Sequence, residues 1–164
     1  MRLEPLLTFR NAITDVQEIG DGPFGTRRTY IVGAGTFEGE RLRGEILPGG
    51  GDWLTIGKDG LANLDVRKTL RTHDGALIHL SYQGLYRFDE NLSAKIERGE
   101  DAEFGETLFQ VLARLETGDE RYDWLNFTLA VGEGRETSSG VEYRLFSLDR
   151  AWPVSESRAA KAGC

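Results

Sequence analysis

Hydrophobic and polar residues alternate along much of the chain, which is typical of β-strands that bury one face. In residues 61–72 the apolar side chains Leu64, Val66 and Leu70 alternate with polar or charged neighbours. Residues 76–83 and 141–148 show the same period of two. Short stretches rich in glycine, aspartate and serine separate the alternating runs. The pattern predicts an all-β sandwich or barrel.

Two segments depart from this alternation. Residues 89–98, DENLSAKIER, carry two apolar side chains four positions apart, which predicts a short surface helix. Asp89 is the expected N-cap of this helix, and Gly99 the expected residue at its end. Residues 119–125 are predicted to form one further helical turn.

The segment of residues 33–53, GAGTFEGERLRGEILPGGGDW, is unusually rich in glycine. Glycine inside a strand pattern marks a bulge, a bend or a close approach of another backbone. Glycines at this density therefore predict a sheet that curls. The segment lacks the Lys-Ser/Thr ending and the helix of a phosphate-binding loop, so bending is the better interpretation.

Four segments in order carry a resemblance: GTFEGERLRGEILPGGGDW, the Asp65-x-Arg67 strand, DGALI and ETGDERYDWLN. Together they resemble the DUF3237 family, also called UPF0311, over residues 1–148. The resemblance implies a single antiparallel β-barrel domain. We expect roughly ten strands, a lipocalin-like or streptavidin-like shape and one short surface helix. The domain is predicted to span residues 1–150, with residues 151–164 as a flexible tail.

The chain departs from the usual pattern of this family at several positions. Lys68 and His79 stand where the family usually carries tyrosine, and Leu108 and Gln110 stand where it usually carries tyrosine and arginine. The resemblance therefore implies a pocket that differs from the family average. A lysine inside a barrel is costly unless it is paired or functional, so we expect Lys68 on the outside or at a rim.

Composition and charge narrow the classes of function. The chain has 164 residues, the size of one domain, and 20 basic against 27 acidic side chains give a net charge of −7. This balance opposes nucleic-acid binding. One cysteine, Cys164, and two histidines argue against a disulfide, a thiolate site or a histidine-rich metal site. We expect a cytoplasmic protein with no cofactor, no metal and no membrane partner.

The polar face of residues 77–83 carries the first candidate chemistry. His79 is a candidate proton carrier, because imidazole titrates closest to neutral pH. Arg67 is a candidate clamp for negative charge, and Ser81 a candidate ligand contact. The alternatives are an exposed histidine and a structural ion pair between Arg67 and Asp65. The catalytic hypothesis requires His79 and Arg67 to project into the barrel.

Further candidate contacts lie on other segments. Trp53 and Trp124 supply flat apolar walls for an aromatic ligand, or ordinary core. Asn126 is expected either to bind a substrate oxygen or to cap the turn that holds it. Gln110 completes the predicted ligand-binding set.

Three functions remain open. The resemblance implies a cofactor-independent acid–base enzyme of the cyclase, lyase or isomerase type, acting on an aromatic or polyketide-like molecule. The second is a non-catalytic barrel that binds a hydrophobic small molecule. The third is a structural protein with a filled interior. A homodimer or higher homo-oligomer is expected, since two-fold assemblies are the commonest.

Overall fold

Eight antiparallel strands form a closed barrel in a computed structural model that describes residues 2–148. The strands are β1 (Leu3–Gly22), β2 (Gly25–Glu38), β3 (Arg43–Ile56), β4 (Leu61–Thr72), β5 (Leu77–Arg87), β6 (Phe109–Glu116), β7 (Leu129–Thr137) and β8 (Gly140–Leu148). Each strand pairs with its neighbour in the chain, and β8 pairs with β1. The predicted all-β barrel is confirmed, with eight strands in place of roughly ten.

The strand count is lower because some glycine-rich stretches lie inside strands. Pro48–Gly51 has the composition of a turn, yet it belongs to β3. The register between β3 and β4 shifts between Leu47 and Gly51, which marks a bulge that bends the strand. Gly132 and Gly134 likewise lie within β7.

Both predicted helical segments form. Helix α1 (Glu90–Glu97) follows β5, and the Asp89 carboxylate caps it by accepting hydrogen bonds from two backbone N–H groups of its first turn. Gly99 follows the helix with φ +83°, a conformation that favours glycine. A 3₁₀ helix (Glu120–Phe127) joins β6 to β7.

The two ends of the barrel differ. We call the end with the β1–β2 hairpin, α1 and the β7–β8 turn the open end, and the end with the 3₁₀ helix the closed end. Apolar side chains fill the closed end, and several are fully buried: Ile46, Leu70, Ile78, Leu80, Leu115 and Leu125. This packing confines any ligand space inside the barrel to the open half.

The C-terminal residues and the two helices bear on two remaining predictions. The predicted domain boundary at residue 150 and the predicted flexible tail, residues 151–164, lie outside the described residues. Within residues 2–148, neither helix is long and apolar enough to cross a bilayer.

Candidate functional site

A cavity of about 180 Å³ lies inside the barrel, toward the open end. It is smaller than the roughly 300–1,000 Å³ of sites for drug-sized ligands, so it suits a small molecule. Four half-buried residues form its rim: Ile13, Tyr30, Phe88 and Val141. Its deeper polar groups come from five strands: Asn11, Asp52, Lys68, Tyr82 and Tyr143. The interior is therefore neither solidly filled nor purely apolar.

Lys68 is the most unusual side chain of this cavity. It is only 2% exposed, and its Nζ donates a hydrogen bond to Asn11 Oδ1 at 2.6 Å. Nζ also lies 4.5, 5.2 and 5.8 Å from the ring centroids of Phe9, Tyr82 and Tyr143. Burial lowers the pKa of Lys68 to about 7, although the negative charge of Asp52 opposes the shift.

Glycines make room for this lysine and its partner. A Cβ on Gly50, in the β3 bulge, would lie 2.9 Å from the Cβ of Lys68. A Cβ on Gly140 would lie 2.1 Å from the backbone oxygen of Asn11, and Gly140 has φ +150°. Only glycine allows both close approaches, so the bends that the glycines permit also set the position of the Lys68–Asn11 pair.

Asp52 lies on β3 and lines the same cavity. Its Oδ1 accepts a hydrogen bond from the backbone N–H of Asp65 at 3.1 Å. Burial raises the pKa of Asp52 to about 6, while this hydrogen bond and the charge of Lys68 act in the opposite direction. Burial thus moves the pKa values of an acid and a base toward each other, into the neutral range.

An aromatic cluster surrounds the lysine. Phe9 stacks on Tyr143 with ring centroids 4.8 Å apart, and Tyr82 lies 5.1 Å from Tyr143. Burial raises the pKa values of both Tyr82 and Tyr143. Both tyrosines therefore stay protonated and can donate hydrogen bonds at neutral pH.

The mouth of the cavity is also polar. The Tyr86 hydroxyl donates a hydrogen bond to a carboxylate oxygen of Glu136. The ring of Tyr86 meets the edges of Phe88 and Phe109, each with centroids 4.8 Å apart. This tyrosine–carboxylate pair lines the cavity nearer the open end than Lys68 does.

His79 and Arg67 do not project into the barrel, contrary to what the catalytic hypothesis requires. Both side chains lie on the exposed outer face of the barrel, because the inner positions of β4 and β5 are the even-numbered residues. Arg67 pairs with Asp65 at 3.2 Å, and its guanidinium lies 5.2 Å from the Trp53 ring centroid. Arg67, His79 and Ser81 do meet, in an outer groove of about 490 Å³. Their roles in chemistry stay a prediction.

The other predicted contacts are scattered. Trp53 is exposed beside Arg67, and Gln110 lies in a separate groove on the outer face. Trp124 packs partly buried against the core at the closed end, with Arg41 3.7 Å from its ring centroid. Asn126 hydrogen-bonds the backbone N–H and carbonyl of Thr117 at 2.8 and 3.0 Å, as expected for a turn cap.

The sequence analysis missed the residues that line the interior. The placement of Lys68 outside or at a rim is wrong, yet the signal was present: Lys68 shares the even positions of Leu64, Val66 and Leu70. Its burial is tolerated because Asn11 accepts its hydrogen bond and because a lowered pKa makes the neutral amine available. Asn11 belongs to no motif, and Asp52 lies within the glycine-rich segment that carries the family resemblance.

Comparison with known sequences assigns the chain to a family. The profile described as "Protein of unknown function (DUF3237)" matches residues 1–148. The chain belongs to the DUF3237 family. A DUF3237-type relative, "UPF0311 protein RPA1785" of Rhodopseudomonas palustris (strain ATCC BAA-98 / CGA009), is 32% identical over 136 residues, 83% of this chain and 89% of the relative. The family resemblance read from the sequence is confirmed.

Solved structures share the DUF3237 barrel. A "beta-barrel like protein" of Acinetobacter baumannii AYE has 35% sequence identity and a TM-score of 0.76, over 90% of this chain and 96% of that chain. A structure described as "an enzyme from Penicillium herquei" has 19% identity and a TM-score of 0.65, over 88% of this chain and 93% of that chain. The second likeness extends to the fold alone.

Proposed function

We propose that the protein binds a small, mainly apolar molecule in the barrel cavity and catalyses proton transfer on it without a cofactor. Lys68 and Asp52 are the proposed proton carriers. The observation that carries this proposal is a buried lysine and a half-buried aspartate on the wall of one aromatic cavity that opens to solvent.

The chemistry follows from the surroundings of the two groups. A general acid or base works best when its pKa lies near the working pH, and burial moves both groups toward neutrality. One group can accept a proton from carbon while the other supplies one. The protonated hydroxyls of Tyr82 and Tyr143 can hydrogen-bond an oxygen that gains negative charge.

This arrangement suits enolisation, in which a base removes a proton beside a carbonyl and the oxygen becomes negatively charged. Isomerase, lyase and cyclase reactions share this step. The Penicillium herquei barrel is described as an enzyme, so catalysis on such a fold has a precedent. Aromatic walls favour an aromatic or polyketide-like ligand, and the cavity volume limits its size.

A non-catalytic carrier of a small apolar molecule is the second candidate. The aliphatic side chains of Val32, Leu54, Leu64 and Val66 favour it, since they line the cavity together with the aromatic rings. A carrier needs this apolar lining but no proton carrier, so the two functions differ in their dependence on Lys68 and Asp52.

The test is deuterium exchange at the methyl group of acetophenone in heavy water, followed by proton NMR. We expect the protein to accelerate exchange, and Lys68→Met or Asp52→Asn to reduce the acceleration by on the order of a hundredfold. His79→Ala on the outer face is the matched control and should retain it. Circular dichroism shows whether each variant keeps the fold.

Two outcomes would contradict the proposal. If acetophenone binds but its exchange is not accelerated, the catalytic function is contradicted and the carrier function is supported. Exchange that disappears in His79→Ala but persists in Lys68→Met would move the chemistry to the outer groove of Arg67, His79 and Ser81.

The homodimer expected from the sequence also remains a proposal. Leu85, Leu112 and Leu129 support it, because these apolar side chains are exposed on the outer face of neighbouring strands β5, β6 and β7.

A further inference from the structure

We infer that Lys68 is a nucleophile that forms a Schiff base with a small aldehyde or ketone bound in the cavity. The inference rests on the proposed function, because it takes the same cavity as the ligand site. It goes beyond proton transfer, since it assigns a covalent intermediate and a chemical class of ligand.

The contacts of Lys68 suit a neutral amine. An ammonium group has three N–H donors, whereas a neutral amine has two donors and a lone pair. Within residues 2–148, Asn11 Oδ1 is the one acceptor in hydrogen-bond contact with Nζ. The other neighbours named above are the rings of Phe9, Tyr82 and Tyr143. A lysine desolvated in this way is a recognised form of activated nucleophile.

The location of the amine suits attack on a ligand. Lys68 extends from the wall of β4 into the cavity, above the filled closed end and below the Tyr86–Glu136 pair at the mouth. A carbonyl compound that enters from the open end therefore meets the amine at the inner part of its path. The volume of about 180 Å³ suits a ligand of about the size of benzaldehyde.

Asp52 supplies the proton transfers that the reaction needs. The nitrogen lone pair attacks the carbonyl carbon, a C–N bond forms, and the C=O π electrons move to oxygen. Protonated Asp52 gives its proton to this oxygen, and the resulting carboxylate takes one from nitrogen, which leaves a neutral carbinolamine.

The second step releases water. Asp52 protonates the hydroxyl, the C–O bond breaks, and the nitrogen lone pair forms the C=N bond of a cationic iminium. Over both steps, one amine, one carbonyl and one proton react to give one iminium and one water. The surrounding ring faces stabilise the new cation. The iminium withdraws electrons and eases removal of the neighbouring proton, which connects this step to the proposed function.

The experiment is reductive trapping with benzaldehyde and sodium cyanoborohydride at neutral pH, followed by peptide mapping. Hydride reduces an iminium to a stable benzylamine. The chain has four lysines, at positions 58, 68, 95 and 161. We expect Lys68 to acquire the benzyl group at least about tenfold faster than Lys58 and Lys95, which serve as internal controls in the same molecule.

Variants sharpen the result. Lys68→Met should remove the fast label and leave the slow labelling of the other lysines unchanged, and Asp52→Asn should slow the label on Lys68. The comparison among lysines of the wild-type protein does not depend on whether a variant folds.

Each outcome decides a different claim. Labelling of Lys68 no faster than that of Lys58 and Lys95 would overturn the Schiff-base inference. If acetophenone exchange still depends on Lys68 when its labelling is slow, the proposed acid–base function is retained. Fast labelling of Lys68 without acetophenone exchange would support the nucleophile and contradict the acid–base function.

Discussion

The inner and outer faces of strand β4 carry basic side chains one residue apart, in opposite surroundings. Arg67 points outward, where half of its side chain is exposed and Asp65 and Trp53 lie beside it. Lys68 points inward, where three aromatic rings and one amide oxygen replace water. Solvent screens the first charge, whereas the barrel interior suppresses the second. The face of the strand on which a basic side chain lies, more than its residue type, therefore decides whether its pKa shifts toward neutrality.

The same contrast holds on β5. Ile78, Leu80 and Tyr82 are buried, while Leu77 and His79 are exposed. At the closed end the inner face is filled mainly by apolar side chains, whereas in the open half it also carries Lys68 and Tyr82. The barrel thus separates a stabilising region from a candidate reaction chamber along the same strands.

The largest expected effect on stability comes from a matched pair of substitutions on β5. Ile78 is 0% exposed and Leu77 is 54% exposed. Ile78→Ala should lower the free energy of unfolding by about 2–5 kcal/mol, because it leaves a cavity in the filled end. Leu77→Ala should change it by about 0.5 kcal/mol or less. Urea unfolding at neutral pH measures both, and equal effects would contradict the assignment of faces.

A smaller effect follows from the titration of Lys68. Burial lowers its pKa from 10.5 in water to about 7 in the folded protein. Between these values the unfolded chain holds a proton that the folded protein lacks, so the contribution of Lys68 to stability rises with pH. Asp52→Asn removes the coupled carboxyl and lowers the pKa of Lys68 further, since Asp52 raises it.

The measurement compares Asp52→Asn with Asp52→Asn/Lys68→Met. From about pH 7 to about pH 9.5, the single variant should gain about 3 kcal/mol in unfolding free energy relative to the double variant. Arg67→Met provides the control on the outer face, and it should show no comparable gain. A difference that stays constant over this range would show that Lys68 is charged throughout.

Much of the fold was predictable, for local reasons. Alternation predicted the strands, Asp89 predicted the start of α1, and the glycines and the family resemblance predicted closure into a barrel. The strand count was not predictable from composition, because Pro48–Gly51 reads equally well as a turn or as a bulge. The pairing of β3 with β4 in the folded barrel shows that these residues form a bulge.

The candidate site was less accessible to sequence reasoning. Lys68 and its partner Asn11 are 57 residues apart, and only barrel closure brings their side chains together. The polar face with His79 predicts proton chemistry because histidine often carries protons, yet the apolar face of the same strand forms the interior. Lys68 lies at an even-numbered position of β4, as Leu64 and Leu70 do, and this spacing indicates the interior more reliably than the residue type of His79 does.

We expect Lys68 to lose its proton inside the barrel near physiological pH. A carbon-13 NMR titration of its Cε measures this directly, with the signal assigned by its absence in Lys68→Met. We predict a midpoint of about 7 for Lys68, shifted lower in Asp52→Asn. A midpoint near 10.5, the ordinary value for lysine, would contradict it.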